Sequence, residues 1–182
     1  ELLRRQHPGQ SYSGEISNPS YERRILDHWD HLNGTIERGY AGHSIFWRKE
    51  DPFTVTNADK KLWQEYARAN ASVGINGSVL DNVNASPLIL SAGYLARVKA
   101  IADVMRPYGV RIYLAVNVAS PVSLDSLKTA DPLNAYVIAW WNKKVKEIYS
   151  LIPVFGGFLV KASSEGQPGP QNYGRTHADG AN

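Results

Sequence analysis

The sequence contains no cysteine. No disulfide can staple it and no thiolate can hold a metal, an absence compatible with a reducing compartment. It also lacks any window near the roughly 18–20 consecutive apolar residues of a membrane span, and its opening ELLRRQHPGQ has no secretory apolar core. The expectation is a soluble chain with no membrane partner, cytoplasmic in preference to periplasmic or secreted. A basic stripe is missing too: 20 Lys and Arg stand against 17 Asp and Glu, and the cations fall in scattered doublets such as Arg4-Arg5, Arg23-Arg24, Lys60-Lys61 and Lys143-Lys144. Nucleic acid is therefore not an expected partner. Internal repeats and low-complexity tracts are absent. Four N-x-S/T triplets begin at Asn33, Asn70, Asn76 and Asn84, too common by chance to imply glycosylation.

What remains is an ordinary globular composition, 182 residues with 43% hydrophobic and 20% charged, enough for one core. From about Arg24 the chain alternates strand-like and helix-like stretches. RILDHW reads as a short strand, which GHSIFW extends or pairs with. Thr56 and Asp59 have the spacing of a reciprocal cap, opening a helix with Leu62, Tyr66, Ala69 and Val73 on its inner face. GINGSVLDNVN is a second strand. A helix from about Ser91 follows, with Leu95, Val98, Ile101 and Met105 inward, ending at Pro107. VRIYLAVNV is a third strand; Asp131-Pro132 opens a helix with Ile138, Trp141, Val145 and Ile148 inward; VFGGFLVKA is a fourth strand.

Strands joined by helical crossovers of this length lie parallel, in an α/β arrangement. Two architectures fit. An open sheet for a nucleotide would show a Gly-rich turn after its first strand, and DHWDHLNG is not one. A (β/α)8 TIM barrel fits better, because polar residues gather at successive strand ends: Asp27, His28 and Asp30; Asp81, Asn82 and Asn84; Asn117; Lys161 and Glu165. A whole barrel needs about 250 residues. The expectation is accordingly a partial barrel of about four βα units, residues 1–182 forming its N-terminal half, with more of it beyond.

Several long segments resemble the catalytic barrel of the bacterial and fungal α-glucuronidases that remove glucuronic acid from xylan fragments: ILDHWDHLNGTIERGYAGHSIF, ASVGINGSVLDNVNA, RPYGVRIYLAVNVASP, TADPLN and GGFLVKASSEGQPGPQNYGRTHADGAN. The resemblance covers residues 22–182. It implies an inverting hydrolase of α-1,2-linked (4-O-methyl)glucuronic acid on the terminal sugar of xylo-oligosaccharides, working without a cofactor. It also implies flanking N- and C-terminal domains absent here, and a homodimer formed through one of them. Position by position it makes Glu165 the general acid, Lys161 the lysine that holds the uronate, Trp29 the tryptophan packed against the sugar and Val83 the residue whose bulk limits the site to terminal groups, with Asn82 beside it. His31 and Asn33 stand where the family pattern has Asn and Asp, and Ser163 where it has Asn. The resemblance puts the base carboxylates beyond Asn182, together with an arginine that helps grip the uronate, so this stretch alone is expected to be inactive.

On composition alone Glu165 reads as a solvated loop carboxylate, Lys161 as half of a surface ion pair and Trp29 as packing. The stiff Gly/Pro exit after Glu165 and the resemblance reverse the first. Glycoside cleavage needs a carboxylic acid of raised pKa, and the apolar approach GGFLV is expected to lift it by desolvation. Lys161, four positions away on a strand, points to the same face and opposes that lift; a bound uronate that pairs with Lys161 would cancel its field. Trp140 and Trp141 read as packing. His28 and His31 point to opposite faces and make a poor metal pair, and Asp179 with His177 reads as a cap. The alternatives are a non-catalytic module that binds uronate or other carbohydrate and a metal-dependent sugar isomerase.

Overall fold

The computed structural model describes residues 19–40, 42–161 and 163–181. Among them, four strands form one sheet: β1 (Ile25–Asp27), β2 (Gly77–Leu80), β3 (Arg111–Val116) and β4 (Gly157–Val160). Their order is β1-β2-β3-β4 and every pairing is parallel, with Leu26 opposite Ser78, Ser78 opposite Ile112, and Leu114 opposite Phe158. The crossovers carry helices α1 (Asn57–Ser72), α2 (Ala92–Met105), α3 (Ser120–Asp125) and α4 (Ala135–Leu151), and α5 (His177–Ala181) follows β4. The expected α/β architecture with a parallel sheet is present. Among the described residues no helix is long and apolar enough to cross a membrane.

The sheet buries its two faces unequally. Leu80, Ile112, Leu114 and Val116 point to the helices and join Leu95, Val98, Ile101, Met105 and Ile148 in the main core. Val79, Tyr113 and Ala115 form a smaller cluster on the opposite face, with Leu159 packed against it. Alternation along β3 decides this, because successive side chains in a strand point to opposite faces. Tyr113 makes a demand on its neighbour: a Cβ at Gly156 would lie 2.4 Å from the ring. Gly157 has φ +141, closed to most side chains. The two glycines of GGFLV thus let β4 pass the tyrosine ring.

The capping box of α1 forms as its spacing predicts: Asp59 N–H donates to Thr56 Oγ1 (3.1 Å) and Thr56 N–H to Asp59 Oδ2 (2.8 Å). The inner face expected for α1 holds at Tyr66, which packs against the main core, and is otherwise off by one position. Trp63, Ala67 and Asn70 are buried, whereas Leu62 is 43% and Val73 74% exposed. Trp63 decides the rotation. Its indole N–H donates to the Ile45 carbonyl (2.8 Å), and the buried Arg97 guanidinium lies 5.3 Å from its ring. GHSIFW is not a strand, because Ser44 Oγ accepts the N–H groups of Phe46 (3.0 Å) and Trp47 (2.9 Å), turning the chain there while Phe46 and Trp47 enter the core.

The fourth helix starts later than Asp131-Pro132. Asn134 is its cap, accepting from Tyr136 N–H (3.0 Å), while Asp131 closes a turn onto Leu133 N–H (3.0 Å) and pairs with Arg175. Val137 and Ile148 are the wholly buried positions, Trp141 and Val145 are partly buried, and Ile138 faces solvent. The rotation of α1 yields a direct check on stability. Trp63→Ala is expected to cost about 3–5 kcal/mol and Leu62→Ala less than about 1 kcal/mol, read as shifts in the urea midpoint; equal shifts would place Leu62 inward after all.

Candidate active site

Parallel pairing brings the C-terminal ends of all four strands to one edge. His28, Trp29 and Asp30 follow β1, Asp81 to Asn84 follow β2, Asn117 follows β3, and Lys161 and Glu165 follow β4.

After β4 the chain makes a two-residue turn. Ser164 and Gln167 pair, with Gln167 N–H donating to the Ser164 carbonyl (2.9 Å), and the central residues Glu165 (φ +50) and Gly166 (φ +77) both have positive φ. That is the signature of a type I′ turn, where glycine, asparagine or aspartate is usual and glutamate is costly. Asn117 clamps the turn through Gln167 (2.6 Å), and beyond it Gly169 N–H donates to Asn172 Oδ1 (2.8 Å).

Glu165 sits between two cations. Lys161 Nζ donates to Oε2 at 2.5 Å and Arg38 Nη2 to Oε1 at 2.6 Å. Lys161 is well shielded, 15% exposed, and also donates to Asn84 Oδ1 (2.6 Å); Glu165 is 47% exposed. The expected desolvation lift is absent. Glu165 lies past the apolar strand, in the turn, where hydrogen bonding and charge from Lys161, then the charge of Arg38, hold its carboxyl below the usual range.

Arg38 was not among the residues picked out from the sequence. It comes from a short turn, Glu37–Gly39, folded back over Trp29 by the Asp30 to Ile36 bridge and by Glu37 N–H donating to the Trp29 carbonyl (2.8 Å). Its guanidinium carbon lies 5.9 Å from the Trp29 ring, and Tyr40 packs 6.3 Å from the same ring. Trp29, exposed on the rim, and Lys161 with Glu165 therefore meet through Arg38. Glu37 pairs with His31 (3.2 Å) and approaches Asn84 (3.5 Å). The pointer available in sequence was a charged Glu-Arg pair before glycine, ten residues beyond the end of β1 in the loop that leaves it.

Val83 is half-buried in the loop after β2. Asn82 has no exposed surface, and its Oδ1 accepts Asn84 N–H (2.7 Å), so it shapes the loop while Asn84 makes the contact to Lys161. Asp81 anchors the same loop: its carboxylate accepts Asn82 N–H (3.0 Å) and Ser86 N–H (3.3 Å), from a left-handed backbone (φ +70). Burial, helped by the neighbouring charge of Asp30, pushes the Asp81 carboxyl up to about 8. Asp30 is raised by burial too; Ser44 donates to its Oδ2 while Oδ1 is buried with no partner among the described residues. His28 is lowered to about 4 by burial, hence neutral, with Nε2 2.6 Å from the Tyr66 hydroxyl. Among the described residues no three His, Cys, Asp or Glu side chains converge as metal ligands. Asp179 caps α5, accepting from Thr176 N–H (2.8 Å).

The Asp81 environment sets a pH window. A carboxyl whose folded pKa lies above its unfolded value stabilises fully below the unfolded value, and that stability is lost as pH rises toward the folded one. His28, lowered by burial, adds stability as pH rises from about 4 to 6.5 and offsets Asp81 there. Above that, up to about pH 8, wild-type stability should fall, and Asp81→Asn should flatten this upper segment of the stability-against-pH curve measured in urea. An unchanged slope would remove Asp81 as its source.

A model of the glycosyl hydrolase family 67 middle domain matches residues 4–182. The probable α-glucuronidase A of Aspergillus fumigatus is 46% identical over 166 residues, covering 91% of this chain and 19% of that protein. The α-glucuronidase of Hypocrea jecorina is 47% identical over 179 residues, 94% of this chain and 21% of that protein. For α-glucuronidase A of Emericella nidulans the figures are 46% over 172 residues, 91% and 20%. The chain spans about one fifth of the length of the curated relatives it matches.

Proposed function

The chain belongs to the glycosyl hydrolase family 67 middle-domain family, and from that membership we propose that it carries the acid-bearing part of an α-glucuronidase acting on xylo-oligosaccharides that bear a terminal α-1,2-linked (4-O-methyl)glucuronic acid. The observation that carries the reading is Lys161 against Glu165 on the rim of a parallel sheet, with Trp29 joined to them through Arg38. A uronate needs a cation, a pyranose face needs an aromatic surface, and a departing sugar oxygen needs a proton donor. The uninterrupted strand order supports a (β/α)8 barrel, since an open doubly wound sheet reverses its order at a switch point. Residues 1–182 are then its N-terminal half, flanked by further domains.

In the mechanism we infer, Lys161 pairs with the substrate's carboxylate and Trp29 lies along the sugar. Glu165, protonated, gives its hydrogen to the leaving xylosyl oxygen. Water activated by a carboxylate elsewhere in the protein attacks the opposite face and inverts the anomeric centre, the two carboxyls standing about 6.5–9.5 Å apart. The base belongs to positions outside this stretch.

The free site holds Glu165 as carboxylate, so the substrate must change its state. A bound uronate neutralises Lys161 and lets the Glu165 pKa rise. In the full-length protein the upper limb of the kcat profile should then lie at higher pH than that of kcat/KM; coincident limbs would defeat this account of activation.

The reading as a whole is tested by product analysis. The full-length protein should release glucuronic acid of inverted configuration, Glu165→Gln should lower turnover by about 10²–10⁴-fold, and a polypeptide of these 182 residues should release none at a useful rate. Uronate binding with no release by the full-length protein would favour a carbohydrate-binding role, which the charge-stabilised state of Glu165 also suits.

A further inference from the structure

Two cations from the outermost strands of the order hold one carboxylate. Lys161, at the end of β4, is fixed by its second bond to Asn84; Arg38, from the loop after β1, is 56% exposed and binds Glu165 through Nη2. Resting on the reading of this site as one for a terminal uronate, we propose that Arg38 is a further cation for the substrate's carboxylate, beside Lys161 and additional to the arginine the resemblance places beyond Asn182, and that the Glu165 carboxylate occupies that group's place until substrate arrives.

Chemistry requires an exchange of some kind. A general acid must be neutral when it acts, and a carboxyl clamped between an ammonium and a guanidinium is not. Relieving Lys161 alone leaves Arg38 on the other oxygen. A uronate brings one negative charge, the same charge Glu165 now presents to the same two cations, so it can replace Glu165 without altering the charge balance of the pair.

The geometry of Arg38 suits the transfer. Guanidinium forks match carboxylates through two parallel N–H bonds, and Arg38 gives Glu165 one nitrogen only. It lies over the Trp29 ring, the surface assigned to the sugar, so a sugar settling there displaces the guanidinium as the uronate arrives.

A plain folding contact accounts poorly for the arrangement. Exposed ion pairs add little to stability, yet both partners, Arg38 (φ +57) and Glu165 (φ +50), sit in left-handed backbone that is unfavourable for their side chains. The two loops hold these conformations to bring together side chains 127 positions apart in the chain.

Calorimetry on the full-length protein tests the exchange, with free glucuronate as ligand and glucose as the neutral control. Glu165→Gln, which removes the internal competitor, should bind glucuronate about 10-fold more tightly than wild type, and adding Arg38→Met should abolish that gain. In kinetics Arg38→Met should lower kcat/KM on the glucuronosyl substrate roughly 10- to 100-fold while changing a glucosyl analogue by no more than about 3-fold. Arg38→Lys, which keeps the charge, should retain much of the preference for the acidic substrate. Glucuronate binding that is no tighter in Glu165→Gln, or equal losses on both substrates in Arg38→Met, overturns the proposal. Normal release by wild type with Arg38→Met unaffected overturns it alone; absence of both binding and release in wild type overturns the functional reading with it.

Discussion

Because β2, β3 and β4 each pair in parallel with the strand before them in the chain, every connection leaves the sheet at the same edge. That topology turns residues far apart in sequence into neighbours. Arg38 and Glu165 meet at 2.6 Å, Asn84 and Lys161 at 2.6 Å, and Asn117 and Gln167 at 2.6 Å. None of these contacts follows from the local structure of its own segment. Each needs the register that sets Leu80 beside Leu114 and Val116 beside Val160, and that register in turn needs the helix-side core of Leu80, Ile112, Leu114 and Val116, which a one-residue slip would turn to the wrong face.

The rim holds two carboxyls driven in opposite directions. Asp81 is buried and lifted, with backbone N–H groups on both oxygens; Glu165 is half-exposed and depressed by cations. A lifted carboxyl is the usual mark of a general acid, and by that criterion alone Asp81 would be chosen. Access decides against it. Asp81 has almost no exposed surface and both oxygens are engaged in shaping the loop that presents Val83 and Asn84, whereas Glu165 projects from a turn tip. The depressed pKa of Glu165 reports its contacts with Lys161 and Arg38, and under the proposed function those contacts are of the kind a uronate would take over.

Strand identity, the parallel arrangement, the α1 capping box and the inner face of α2 were legible because each rests on local pattern: β-branched runs, Thr-x-x-Asp, and Leu95, Val98, Ile101 and Met105 at helical spacing. The inner face of α1 was not, because Leu62 and Trp63 are adjacent apolar residues and the choice between them depends on the Ile45 carbonyl and on Arg97, both outside the helix. The same holds for GHSIFW, where a serine side chain takes the backbone donors that a ladder would have taken, and for Asp131, whose carboxylate serves Arg175. At the rim, Lys161 and Glu165 do pair as expected, but through the turn after β4 and not through the strand spacing from which the pairing was read, since β4 ends at Val160. Arg38 was not legible, since its partner lies on another loop. The desolvation expected for Glu165 failed for a geometric reason: an apolar strand shields its own residues, not a side chain carried five positions beyond its end.

Backbone strain follows the same division. Of the seven described non-glycine residues with positive φ, Arg38, Asp81, Ser163 and Glu165 lie in loops at the C-terminal edge of the sheet, Asp51 and Ser126 lie further along the crossovers, and Val154 lies at the opposite edge, before β4. Such conformations persist where surrounding contacts over-determine them. Asp81 has its two backbone donors, and the Glu165 turn has the Asn117 clamp and the rigid exit through Gly169 and the buried Pro170. A freely mobile loop would relax to a negative φ and lose the aim of the side chain. Holding Glu165 in a turn position that favours glycine keeps its carboxyl within reach of Lys161 while the side chain stays half-exposed, the combination that the proposed role, a proton donor sharing its site with an anionic substrate, requires.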